Sequence, residues 1–73
     1  MAEQPSELKK LTTIATDLEL SSEMRTKALE TIGRIGTHEA LLVLLNIAAN
    51  EGLIRHEREL ALKFATQIVK SSH

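Results

Sequence analysis

The stretch that decides the fold of this chain runs from Arg25 to Leu41 and reads RTKALETIGRIGTHEAL. Its first half spaces apolar residues by one, three and four, which places them on one face of an α-helix: Ala28, Leu29, Ile32 and Ile35. Gly36 supplies the left-handed conformation that ends many helices. Thr37 can cap the next helix by accepting a hydrogen bond from a free backbone N–H. The stretch therefore predicts the end of one helix and the start of another.

Working outward, the chain matches itself without a gap at a spacing of 33 residues. Nine residue pairs are identical in this register: 8/41, 11/44, 14/47, 15/48, 20/53, 25/58, 28/61, 29/62 and 35/68. Eight pairs are apolar, and the ninth joins Arg25 to Arg58. Because a chain this short supports only one core, residues 1–73 are predicted to form a single domain. Its two repeats are expected near 6–36 and 37–71.

Turn and capping residues divide each repeat into two helices. Pro5 and Ser6 can start the first helix, and Ser21 or Ser22 can cap the second. Gly52 is expected to repeat the helix-ending role of Gly36. We therefore predict four helices near 6–20, 22–35, 38–51 and 54–71, and no strand, since no apolar pattern alternates with a period of two.

The stretch from Arg25 to Leu41 resembles the HEAT repeat, especially the short form of phycobilin lyases and related bacterial proteins. In that pattern an arginine opens the second helix, an Ala-Leu pair packs inside, and a glycine with a capping residue leads into the next repeat. The resemblance implies an all-α fold in which two tandem HEAT-like helical hairpins form a short α-solenoid. A compact four-helix bundle is the alternative.

The same resemblance implies an ion-pair ladder. In the family an aspartate at the turn between paired helices commonly meets the arginine of the second helix. Asp17 takes that place in the first repeat, so Asp17, Arg25 and Arg58 are the expected ladder residues. Asn50 stands at the position equivalent to Asp17, which interrupts a fully charged ladder. Two solvated arginines are the alternative.

Composition argues against several classes of partner. Nine Lys and Arg balance ten Asp and Glu, which leaves no net field to attract nucleic acid or an anionic membrane. The segment 39–50, the candidate recognition helix of a helix-turn-helix, contains no Lys or Arg. Cysteine is absent, and the longest apolar run is far too short to span a bilayer. We expect a cytoplasmic protein that binds neither nucleic acid nor membranes.

Metal and catalytic motifs are incomplete. His56 starts a segment similar to the zinc motif H-E-x-x-H, but Leu60 occupies the place of the second histidine. His38 and His73 are interpreted as surface residues. Glu57 and Glu59 lie two residues apart, so they point to different helix faces and are expected to form a solvated charged surface. We expect no catalytic, cofactor-binding or metal-binding residues, and no enzyme activity.

The differences between the repeats indicate a partner surface. Polar residues at five positions of the first helical segment become apolar in the second repeat, as Ala40, Leu42, Val43, Leu45 and Ala49. The second helices change in the same direction, to Leu60, Phe64 and Val69. The expected partner surface consists of Leu42, Val43, Leu60, Phe64 and Val69. The first repeat is thus interpreted as a terminal cap and the second as a repeat that needs a neighbour. We expect a protein interaction module, a scaffold or adaptor that forms a homodimer through this surface. An accessory factor of an enzyme system, like the chromophore-lyase relatives, is the alternative, and a closed bundle would instead bury these residues.

Overall fold

Four α-helices make up the fold over residues 3–71. The computed structural model describes the backbone of residues 3–71 and the side chains of residues 7–71, so His73 lies outside the described residues. The helices are α1 (Glu3–Ala15), α2 (Ser22–Ile35), α3 (His38–Ala48) and α4 (Arg55–Ser71). Residues 3–71 contain no strand, which confirms the all-α prediction.

Local hydrogen bonds fix three of the helix ends as the sequence predicts, whereas α1 begins at Glu3 and not at the predicted residue 6. The Ser21 hydroxyl accepts a hydrogen bond from the Met24 backbone N–H at 3.2 Å and caps α2. Gly36 ends that helix with φ 68°, in the left-handed region that glycine adopts without strain. The Thr37 hydroxyl accepts from the Ala40 N–H at 3.1 Å and caps α3. The capping predictions for these three residues are therefore confirmed.

The turns inside the two repeats have the same hydrogen bonds. The side chain of Asp17 accepts from the backbone N–H of Glu19 at 2.9 Å, and that of Asn50 accepts from Gly52 at 2.9 Å. In both turns the N–H three positions further on donates to the Asp17 or Asn50 carbonyl at 3.1 Å. Asp and Asn supply the same acceptor oxygen, so one can replace the other in this turn.

These turns correct two sequence-based expectations. The first and third helices end at Ala15 and Ala48, earlier than the predicted residues 20 and 51, because the turn hydrogen bonds replace helical ones. Gly52 does not repeat the role of Gly36, since Gly36 is the glycine with positive φ and Ala49 is the cap residue of α3. Gly52 instead donates its N–H within the turn.

The core is aliphatic and centred on α2, which packs against the other three helices. Its buried residues are Leu8, Ala15, Ala28, Leu29, Ile32, Ala40, Leu44, Ile47, Leu53, Ala61, Ala65 and Ile68. The eight identical apolar pairs contribute sixteen residues, and fifteen of these are buried or half-buried. Leu62, at 53% exposure, is the exception.

Helices α2 and α4 approach each other closely at Gly33. A Cβ at Gly33 would lie 3.2 Å from the Phe64 Cβ and 3.3 Å from its Cγ. These atoms are close to the α4 backbone, so they cannot move aside without moving the helix. Gly33 therefore lets Phe64 pack against the core from the second repeat.

We expect Gly33→Ala to lower the free energy of unfolding by roughly 1 kcal/mol. Alanine gains about 1 kcal/mol in helix propensity over glycine, but inserting a methyl group against Phe64 costs about 1–3 kcal/mol. Thr31→Ala is the control, because Thr31 is exposed on the same helix. Urea denaturation followed by circular dichroism measures both variants. A Gly33→Ala protein that is more stable than wild type would show that α2 and α4 can move apart to accommodate the methyl group without loss of free energy.

Candidate interaction site

A buried ion pair joins the two repeats. The Arg25 Nε donates to the Glu57 Oε2, and the two side chains are 4% and 1% exposed. Glu57 therefore does not lie on a solvated surface, and that expectation was wrong for this residue. Its Oε1 has no hydrogen-bond partner among the described residues, so the carboxylate depends on Arg25. Glu59 is 68% exposed, which confirms that the two carboxylates point to different faces.

Arg25 also donates hydrogen bonds to the turn of the first repeat. Its Nη1 donates to the carbonyl oxygens of Asp17 and Leu18, both at 3.4 Å, and to that of Leu20. The Asp17 carboxylate forms the turn, so Asp17 offers Arg25 a carbonyl and not a charge. The carboxylate partner of Arg25 comes instead from α4, one repeat further along the chain.

Arg58 occupies the equivalent position and makes a different contact. Its Nε donates to the Ala48 carbonyl at 3.1 Å, within its own repeat, and the residue is half-buried. Arg25 uses the same Nε to hold Glu57 of the other repeat. The two arginines expected in the ladder thus have different surroundings: Arg25 bridges the repeats, and Arg58 binds the end of α3.

The structure separates the five predicted partner residues into two groups. Val43, Leu60 and Phe64 are half-buried and pack against the core. Leu42 and Val69 are 48% and 53% exposed. The polar-to-apolar changes at the first three positions therefore contribute to the core, and the last two leave apolar surface in solvent.

Leu42 lies in an open groove between α1 and α3. Its lining residues include the apolar Leu8 and Val43 and the charged Lys9 and Glu39. Lys9 and Glu39 are both exposed, so this surface carries one charge of each sign.

A second exposed surface lies on α4. Leu62 and Val69 are seven residues apart, two helical turns, so they share one face of this helix and are each 53% exposed. Polar and charged residues are exposed beside them. We call this surface the α4 face and define it by its exposed residues: Glu59, Leu62, Lys63, Thr66, Gln67, Val69 and Lys70.

Aligning the two repeats does not identify Leu62 as a surface residue. Its equivalent, Leu29, is 0% exposed because α2 is central to the fold, whereas Leu62 lies on a helix with neighbours on fewer sides. An identical leucine in both repeats indicates a core position in each. Leu62 is therefore identified by the structure, because its exposure differs from that of Leu29 at the equivalent position of α2.

Comparison with protein-family models, with curated proteins and with solved structures finds no match for this chain. Among the described residues no three His, Cys, Asp or Glu side chains are grouped closely enough to hold a metal ion. His38 and His56 are exposed. No helix in the described part has the length and apolar character that crossing a membrane requires. The exposed apolar surfaces are therefore the candidate functional features of the described residues.

Proposed function

We propose that this chain is a non-catalytic protein interaction module, two HEAT-like hairpins in a short solenoid, which self-associates through its second repeat. One observation carries the proposal. Of the sixteen apolar residues that are identical between the repeats, Leu62 alone is exposed. A position that is core in one repeat and solvent-exposed in the other is the expected mark of a surface that a further helix covers.

The equivalence of the two repeats supports this reading of Leu62. The turns share their hydrogen bonds, and the arginines occupy the same helical position. Leu29 is completely buried within the fold. Burying a leucine that would otherwise be exposed is worth about 1.5–3 kcal/mol, so covering Leu62 contributes favourably to association.

A second copy is the proposed occupant, in a two-fold and not a head-to-tail contact. In a head-to-tail contact, the first repeat of one copy would pack on α4 of another copy in the way that the second repeat packs on α2 within the chain. Met24 would then occupy the place of Glu57, and Thr31 would occupy the place of Phe64. Met24 offers Arg58 no carboxylate. A head-to-tail contact also leaves a free face at each end and continues to grow, whereas a two-fold contact closes.

Of the surface predicted from sequence, Leu42 on α3 and Val69 on α4 remain exposed, and the proposed contact is on the α4 side because Leu62 lies there. Val43, Leu60 and Phe64 pack against the core, so substituting them tests the fold and not the interface. Val69 lies on the α4 face with Leu62. Leu62 is therefore the residue to change.

We expect the wild-type chain to dimerise in sedimentation equilibrium and Leu62→Lys to weaken the dimer by about 10–100-fold. Each of the two subunits then loses the burial of the 53% exposed part of a leucine, together about 1.5–3 kcal/mol. Leu18→Lys is the matched control, because Leu18 is 54% exposed and lies in the turn before α2. Helix content from circular dichroism should be equal in all three proteins. A wild-type monomer, or equal weakening by both substitutions, would count against the proposal.

A further inference from the structure

The contact between the repeats follows one stripe of α2. Arg25, Leu29 and Gly33 are spaced by four residues, so they lie on one face of that helix. Helix α4 covers both ends of this stripe, because Glu57 binds Arg25 and Phe64 lies against Gly33. Leu29, between them, is completely buried. Within the chain, this stripe is therefore covered by a helix that carries a carboxylate and, two turns later, a packing side chain.

The equivalent stripe of α4 is largely uncovered in the described part of the chain. It consists of Arg58, Leu62 and Thr66, and we call it the Arg58 stripe. Leu62 and Thr66 are exposed, and Arg58 is half-buried. The Arg58 Nε donates to the Ala48 carbonyl at 3.1 Å, and neither Nη nitrogen has a hydrogen-bond partner among the residues whose side chains are described. Both Nη groups can therefore bind a carboxylate from outside the chain.

We infer that the Arg58 stripe is a docking surface for an acidic helix of another protein, which places a carboxylate against Arg58 as Glu57 binds Arg25. This inference goes beyond self-association, because a second copy in the same register presents Met24 and not a carboxylate. The docked helix and the second copy of the proposed dimer both cover Leu62. Docking and dimerisation therefore exclude each other.

The carboxylates close to Arg58 in the sequence do not neutralise it. Glu59 is paired with Arg55 at 3.5 Å on the same helix. Glu51, in the turn before α4, is exposed and forms no ion pair with another described residue. Lys63 is exposed on the α4 face and adds a further positive charge to this side of the helix. The positive charge of Arg58 therefore remains available to a partner.

Thr66 limits the side chain that the partner can place two turns beyond its carboxylate. A Cβ at the equivalent Gly33 would lie 3.2 Å from the Phe64 Cβ, and Thr66 has that Cβ with a methyl and a hydroxyl group attached. We therefore expect a small residue such as alanine there and not an aromatic one. Leu60 is the apolar residue between the two contacts on α4. The partner helix should thus carry an acidic, an apolar and a small residue on successive turns of one face.

A modified copy of the chain serves as the probe, because α2 has equivalent positions on its exposed side. The residues of α2 at the places of Glu57, Leu60 and Phe64 are all exposed: Met24, Lys27 and Thr31. Met24→Glu and Lys27→Leu together give this helix the acidic and apolar residues, and Leu62→Lys prevents the probe from accepting another copy. We expect this glutamate probe to bind the wild-type chain about tenfold more tightly in calorimetry than a matched probe with Met24→Gln.

Variants of the acceptor chain identify the contact. Arg58→Met should remove the preference for the glutamate probe over the glutamine probe, and Leu62→Lys should weaken both by about tenfold. Circular dichroism checks that each acceptor keeps its helix content. Equal binding of the two probes to wild type, or a preference that survives Arg58→Met, would show that Arg58 does not recognise a carboxylate.

Sedimentation of the wild-type chain alone separates this inference from the proposed function. A wild-type dimer that binds the two probes equally overturns the docking surface and leaves self-association standing. A wild-type monomer that prefers the glutamate probe supports the docking surface and overturns self-association.

Discussion

Replacing Glu57 with leucine is expected to lower the free energy of unfolding by about 3–5 kcal/mol, because it leaves the Arg25 guanidinium buried without its charge partner. A domain of 73 residues has a total stability of roughly 4–11 kcal/mol. The loss is therefore a large share of the whole, and the urea concentration at the unfolding midpoint should fall by a large fraction of the wild-type value. Urea denaturation followed by circular dichroism measures it.

Three further variants identify the cause. Arg25→Met should be as damaging as Glu57→Leu, since it leaves the opposite charge buried. The double variant should recover part of the loss, because no charge then remains in the core, although the Leu20 carbonyl still loses its donor. Arg58→Met, the same substitution at the half-buried equivalent position, should cost about 1 kcal/mol. Equal effects at the two arginines would contradict this account.

The burial of Arg25 also revises an expectation that follows from the sequence alone. Identical placement of Arg25 and Arg58 predicts similar roles and a modest contribution from each. Arg25 is 4% exposed and bridges α2 to α4, whereas Arg58 bonds within its own repeat. The difference arises from Glu57, whose equivalent in the first repeat is Met24. Aligning the two repeats pairs equivalent positions, so it does not reveal a contact between non-equivalent residues of different repeats, such as Arg25 and Glu57.

The helices themselves follow from local sequence. Capping by Ser21 and Thr37 and the left-handed end at Gly36 involve residues within a few positions of each other, so the sequence predicts them well. Apolar spacing continues into the turns, so it predicts the ends of α1 and α3 several residues too late. Asp17 and Asn50 carry the missing signal, since their side chains bond to the backbone two residues on.

The partner surface is harder to predict, because a polar residue in the first repeat that is replaced by an apolar one in the second has two explanations. Thr31 to Phe64 and Lys10 to Val43 are the changes expected both for an outer interface and for a contact with the first repeat. Phe64 lies against Gly33, which shows the second explanation at that position. Sequence comparison identifies where a repeat needs apolar neighbours, but three-dimensional packing decides which neighbours are already present.

The same substitution at Leu29 and Leu62 should therefore have different consequences. Leu29→Ala is expected to lower the free energy of unfolding by about 2–5 kcal/mol, because the leucine is completely buried and its loss leaves a cavity. Leu62→Ala should change the stability of the monomer by less than about 0.5 kcal/mol, as substitutions at exposed positions usually do.

Protein concentration separates the two effects. A dimer unfolds at higher urea when it is more concentrated, since association stabilises the folded state by mass action. Leu29→Ala should lower the unfolding midpoint at every concentration and keep that dependence. Leu62→Ala should leave the midpoint of the dilute protein unchanged and remove most of the increase on concentration. If Leu62→Ala instead destabilises the dilute protein as much as Leu29→Ala does, Leu62 contributes to the core of the monomer, and the α4 face is not the surface through which two copies meet.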